Sequence, residues 1–336
     1  MTLSDDVKRT LAWHPPLMWF SGAMLFTTAL SVGGLCLDHR TLVGAPLWMK
    51  PLKFSISFGL YAFTWAWMIS LQSRSASSIR WAVRSGTILA VTSTIEMVVI
   101  IVQTVRGQQS HFNYATAFDS AMWLVMQSTV VVLWLANLLG ALLLMRVHNF
   151  VPQRAGKHDR SRSAAVRFGA LISIPGMSLA SLMALPTAEQ QSALHAGTVL
   201  HIVGAHSVGA PDGGPALPIT GWSTGGGDLR IPHFVGLHAL QLLPLFVMAL
   251  GVLAKRWPRF QDESVRLRLV RLAACLYAAL VTLLTVQALR GQPLLRPDAW
   301  TLGALALLLL IGLFGSARIV FVGRAEMTTS EWNISV

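Results

Sequence analysis

Eight predominantly apolar runs of about 20 residues divide this chain, at roughly 17–37, 54–71, 85–105, 118–145, 164–185, 232–254, 269–289 and 300–321. A helix needs about 20 such residues, at 1.5 Å per residue, to cross the hydrocarbon core of a bilayer. The pattern predicts an all-α, polytopic membrane bundle of about eight transmembrane helices, with 1–336 forming a single transmembrane domain.

Basic residues then set an orientation. With the N-terminus in the cytoplasm, 19 of the 26 Lys and Arg residues fall in inner segments and 7 in outer ones, the asymmetry expected of cytoplasmic loops. The reading is a cell-membrane protein with both termini cytoplasmic. Composition agrees: only 12% of residues are charged and 54% are hydrophobic, with mean hydropathy +0.57, whereas soluble domains carry about 25% charged residues. The net charge of +12 sits in short runs between apolar stretches, as topology signals do. The bilayer is the expected partner, and nucleic acid is not. The polar N-terminus, with its Pro15-Pro16 pair and no small-residue cleavage site after the first run, does not read as a cleavable signal. Cys36 and Cys275 fall inside apolar runs near opposite membrane faces, so both read as small hydrophobes rather than a disulfide.

The longest outer segment, 186–231, is rich in Gly, Pro and His and has no Lys or Arg before Arg230. Thr187 followed by Gln190 predicts a capping box and a short interfacial helix running toward His206. The dense turn signals of 210–227 and the apolar residues around Trp222 predict a packed, lid-like loop.

A weak internal repeat is also legible. Gln103-x-x-Arg106-Gly107-Gln108 recurs as Gln287-x-x-Arg290-Gly291-Gln292, each followed by an Asp, Asp119 or Asp298. Lys50…Lys53-Phe54 matches Arg230…His233-Phe234 in spacing. An offset of four spans suggests a parallel 4+4 duplication with halves 17–145 and 164–321.

Polar side chains inside membrane spans are costly and mark candidate sites. Here they collect toward the outer half. Glu96 lies mid-span, with Gln103 and Arg106 on nearly the same helical face, and His111 follows in an outer turn. Five of the ten histidines fall between His195 and His238. His238 and Gln241 share a face, and Asp228 is placed to cap their helix. The candidate catalytic residues are His233, His238 and Glu96. The candidate substrate-binding residues are Gln103, Arg106, His111, Arg230, Gln241, Gln287 and Arg290, with the three arginines forming an electropositive vestibule suited to an anion or a lipid headgroup.

Imidazoles with a carboxylate suit a divalent transition metal, and His206, Asp212, His233 and His238 are the candidate ligands. Haem is a weaker reading, since only His238 lies deep enough to be axial. Each polar residue taken singly also fits an ordinary structural role: a loop histidine, an interhelical hydrogen bond or a snorkelling arginine. The spacings of a P-loop, C-x-x-C, G-x-S-x-G or i,i+4 zinc helix are absent. Three readings remain: an outward-facing metal-dependent or redox enzyme acting on an amphiphilic or anionic substrate, a transporter using Glu96 beneath the vestibule, and an accessory membrane subunit. Oligomeric state is not readable from the chain.

Overall fold

The computed structural model describes residues 3–71, 76–146 and 159–321. The expected inner basic residues Arg74, Arg154, Lys157 and Arg324, and the two extreme termini, lie outside the described residues. In chain order the elements are α1 (Leu3–Leu11), α2 (Pro15–Leu37), a two-residue hairpin of β1 (Thr41–Leu42) and β2 (Ala45–Pro46), α3 (Met49–Ser70), α4 (Ala76–Arg106) and α5 (Ala117–Arg146). There follow α6 (Arg160–Ser178), α7 (Ala180–Met183), α8 (Ala188–His195), the paired strands β3 (Ser207–Val208) and β4 (Gly227–Asp228), α9 (Arg230–Leu237), α10 (Ala239–Leu253), α11 (Glu263–Leu289) and α12 (Ala299–Phe321).

The chain is mostly helical. Six helical runs, containing α2, α4, α5, α6, α11 and α12, are long and apolar enough to cross a membrane, and α9 with α10 makes a seventh if that bent pair is one span. This is the make-up of a membrane protein. The helix α3 has the length, 22 residues, but Lys50, Lys53, three serines and Thr64 leave it less apolar than the others.

Two expected spans are interrupted. The run expected at 164–185 carries Pro175 inside α6 and breaks at Leu179 before α7. The run expected at 232–254 bends by 46° at His238, just ahead of Pro244. A proline withholds a backbone donor and crowds the carbonyl four residues before it, here Leu240.

The helix pairings of 17–145 and 164–321 are similar. The helix α2 lies on α3 and α4, α3 on α4, and α4 on α5; likewise α6 lies on α9, α10 and α11, and α11 on α12. Contact between α5 and α6 joins the two halves. Trp65, Met68, Ile69, Met97, Ile100, Met126 and Leu144 are fully buried in the first half. There Asn137, wholly buried on α5, accepts at Oδ1 from Tyr61 Oη (2.5 Å) and Trp65 Nε1 (3.1 Å) of α3. In an apolar bundle such hydrogen bonds specify which helix faces meet.

The loops 38–48, 107–116, 196–229 and 290–298 gather at one end of the bundle, called the lid end below. Arg40 Nη1 donates to Val105 O. Tyr114 N–H donates to His201 O, and Val203 N–H to Phe112 O. A side chain on Gly227 would sit 2.0 Å from Ala288 O. The 186–231 segment is therefore packed onto the helix ends. Its capping box at Thr187 and Gln190 is formed, although the helix stops at His195 rather than continuing toward His206.

The two copies of the Gln-x-x-Arg-Gly-Gln motif build the same turn. Gly107 and Gly291 adopt left-handed φ of 69° and 70°. Gln108 N–H returns to Gln103 O and Gln292 N–H to Gln287 O, a Schellman stop in which glycine carries no side-chain penalty.

Small residues set the closest helix contact. A Cβ at Gly176 of α6 would lie 2.4 Å from the carbonyl carbon of Gly236 in α9, whereas one at Gly22 of α2 would meet nothing within 4 Å. Backbone cannot yield as a flexible side chain does. Gly176→Ala should therefore lower the melting temperature of the detergent-solubilised protein, by the equivalent of about 1–3 kcal/mol. Gly22→Ala should hold or raise it; equal melting temperatures for the two variants would refute the close crossing.

Candidate functional site

The first turns of α3 and α9 meet the lid here. Lys50, the second residue of α3, places Nζ 3.0 Å from His111 Nδ1. Lys53, one turn further, donates from Nζ to Thr220 O at 2.6 Å. On α9, Arg230 Nη2 donates to Gly221 O at 2.6 Å. Lys50, Lys53, His111, His206, Arg230, His233 and His238 are all half-buried where α3 and α9 meet the lid; the region they share is called the crevice below. Phe112 packs between the imidazoles, with its ring 5.9 Å from His111 and 5.0 Å from His206.

Hydrogen-bond partners assign the imidazole tautomers. An ammonium can only donate, so with Lys50 protonated His111 accepts at Nδ1. Carboxylates, carbonyls and amide oxygens can only accept, so three other histidines carry their proton on Nδ1. His206 donates to Asp212 Oδ2 at 2.8 Å, His233 to Gly176 O at 2.9 Å and His238 to Gln241 Oε1 at 3.2 Å. His238 then uses Nε2 to accept from Ser57 Oγ at 3.1 Å. His206 Nε2 has no hydrogen bond among the described residues. Asp212 also accepts from the backbone N–H groups of His206 (3.0 Å) and Ser207 (2.9 Å).

Burial, followed by the positive charge of Lys50 and the neighbouring His206, holds His111 well below the usual imidazole range. Burial also lowers His206, against the opposing pull of Asp212. Burial pushes the Asp212 carboxyl up, but its bonds with His206 and Ser207 outweigh this and hold it below the ordinary carboxylate range. At neutral pH the pair is thus a carboxylate orienting a neutral imidazole, with the Nε2 lone pair left for proton transfer.

The remaining predicted residues divide into separate groups. Glu96 is buried mid-helix, 2% exposed, and accepts from Thr129 Oγ1 of α5. Gln103 and Arg106 do not continue its stripe; both turn to Asp119, with Gln103 Nε2 to Oδ1 at 2.8 Å and Arg106 Nη1 to Oδ1 at 2.6 Å. Gln287 donates to Pro293 O and Leu294 O, and Arg290 pairs with Asp298 at 2.6 Å. Arg230 pairs with the fully buried Asp228 at 2.5 Å. Gln241 meets only His238, its Nε2 being buried without a partner.

Two expectations are corrected. Among the described residues, no three His, Cys, Asp or Glu side chains come together as a group able to hold a metal ion. His206, Asp212, His233 and His238 therefore do not form one ligand set: each histidine is turned toward a different partner. His238, expected as an axial haem ligand, has both ring nitrogens engaged. Nor do Arg106, Arg230 and Arg290 make the electropositive vestibule, because each is matched by its own aspartate.

The charge without a carboxylate belongs instead to Lys50 and Lys53, which form no ion pair among the described residues. Sequence reasoning treated these two as topology charges. The signal that marks them is their spacing, which equals that of Arg230 and His233. An apolar cleft of about 480 Å³ between α2 and α4, lined by Trp19, Met24, Met97 and Ile101 among others, contains none of the predicted site residues.

His111 and His206 resist protonation in the fold, whereas in an unfolded chain a histidine takes up its proton near pH 6.5. Below that pH the unfolded state binds more protons, so stability falls as pH falls. The melting temperature in detergent should therefore drop between pH 7.5 and 5.5, and His111→Gln should flatten the drop; an identical pH slope in the variant would contradict the assignment. The chain matches no family model, and no curated protein or solved structure is similar enough to it to count as a match.

Proposed function

We propose that this chain is a polytopic cell-membrane protein in which α3 is an eighth span and both termini are cytoplasmic. The lid end then faces outward and carries the acid–base site of a membrane-embedded enzyme acting on an anionic amphiphile. The observation that carries this reading is the His206–Asp212 pair, with its Nε2 unbonded, in a crevice that also holds the two lysines lacking carboxylate partners. His206 would take a proton from an attacking water or substrate hydroxyl, and Asp212 would stabilise the imidazolium so formed. Lys50 and Lys53 would hold the anionic group of the substrate, where charge-assisted hydrogen bonds are strong. The twin Schellman turns, each with an Arg–Asp pair, support a parallel 4+4 duplication as the origin of the two halves.

A second reading, transport, is favoured by one observation: the Glu96 carboxylate is buried midway through the bundle, where a membrane carboxylate is costly and often functional. If protons are coupled there, Glu96→Gln in proteoliposomes abolishes any pH-dependent flux.

The enzyme reading is tested with wild-type protein in nanodiscs that contain phosphatidate, phosphatidylglycerol and phosphatidylcholine, with each lipid followed by mass spectrometry. The expected result is turnover of an anionic lipid, reduced at least a hundredfold by His206→Gln and strongly by Asp212→Asn. Turnover undiminished in His206→Gln would overturn the assignment of the base.

A further inference from the structure

The lid turn 217–222 is held in an unusual way. Leu217 N–H bonds Trp222 O (2.8 Å) and Gly221 N–H bonds Leu217 O (2.9 Å), closing a tight loop. At its tip Ile219 has φ +67° and is 73% exposed. A β-branched residue in the left-handed region is strained, and at that exposure Ile219 gains little packing from the described residues to offset it. The tip is instead tied down by two cations reaching from different helices: Lys53 of α3 binds Thr220 O, and Arg230 of α9 binds Gly221 O. Adjacent carbonyl oxygens thus stand before positive side chains, as two oxygens of a phosphate or carboxylate would. Arg230 has Asp228 as its counter-charge. Lys53 makes no ion pair among the described residues, the Asp228 charge reaching it only from farther off, and Lys50, on the same helical face, meets His111 and the ring of Phe54.

A neutral carbonyl is a weaker partner for an ammonium than an oxyanion is. We propose that Lys53 and Arg230, backed by Lys50, are the oxyanion seat of the crevice. The Thr220 and Gly221 carbonyls occupy that seat in the unliganded chain, so that a bound phosphate or carboxylate oxygen displaces them and releases the 217–222 turn. This rests on the anionic-substrate reading above and adds the seat and its latch. Release relaxes Ile219, moves Trp222 off Phe234, whose ring is 6.1 Å away, and opens the path to His206.

Hydrogen exchange of the full chain in neutral detergent tests this, read on peptides covering 211–229. The probes are inorganic phosphate, hexanoate, dihexanoyl phosphatidate and, as the uncharged counterpart, dihexanoylglycerol. An oxyanion should speed exchange of the Leu217 and Gly221 amides about tenfold, and dihexanoylglycerol should not. A response to phosphate alone identifies a free anion as sufficient, and a response confined to phosphatidate identifies a headgroup; both support the seat. Lys53→Met should exchange fast without any probe and lose the response, with affinity for the effective anion down about ten- to a hundredfold, while Lys53→Arg keeps both. Anions that bind, seen as a raised melting temperature, yet leave exchange unchanged or slower would overturn the latch. No binding of any anion would overturn the seat. His206→Gln should keep the anion response, so lost turnover with an intact response separates the acid–base reading from this one.

Discussion

A charge taken out of water has to find a partner of opposite sign or a full set of hydrogen bonds, and at the lid end this requirement organises the chain. Arg106 closes on Asp119 and so ties the end of α4 to the start of α5. Arg290 closes on Asp298 and ties α11 to the start of α12. Arg230 closes on Asp228 and fixes the entry from β4 into α9. Each pair spans a turn, so each sets the angle at which the next helix leaves. With the arginines matched, the lysines of α3 are left with an imidazole and a backbone carbonyl, and the electrostatic character of the crevice comes from them.

The interruptions of the helices serve the same region. The bend at His238 directs that side chain to Ser57 of α3 and to Gln241. The glycine contact between α6 and α9 brings the Gly176 carbonyl within reach of His233. On a straight α9–α10 helix, His233 and His238, five residues apart, would point about 140° away from each other. In the bent pair each keeps its own acceptor, His233 the Gly176 carbonyl and His238 the Gln241 amide, so these histidines do not form a chelate. His206, like His111 and His233, keeps Nε2 without a hydrogen bond among the described residues; what sets it apart from those two is the carboxylate on its other nitrogen, Asp212, itself held by the lid backbone.

The physical picture is of a bundle whose apolar flanks suit a bilayer and whose Arg–Asp pairs collect at one end, under a lid tied down by cations, with Glu96 buried midway. Lys53 and Arg230 both donate to carbonyls of that lid, Arg230 in addition to its bond with Asp228.

What the chain determines by itself is whatever depends on local composition. The apolar runs, the capping box at Thr187 and Gln190, the glycine-stopped turns and the collection of histidines near one end are all legible, since each depends on residues within a few positions of one another. The bend at His238 is not legible: the sequence reads 232–254 as one unbroken span, and Pro244 lies six residues beyond the point where the helix yields. What only the tertiary structure decided is which charges are spent. Arg106, Arg230 and Arg290 look like free cations until the fold brings Asp119, Asp228 and Asp298 to them, and Lys50 and Lys53 look like helix-end anchors until 111 and 220 arrive from distant loops. Pairing energy falls off over a few ångströms, and those distances are set by packing between segments far apart in sequence, not by spacing along it.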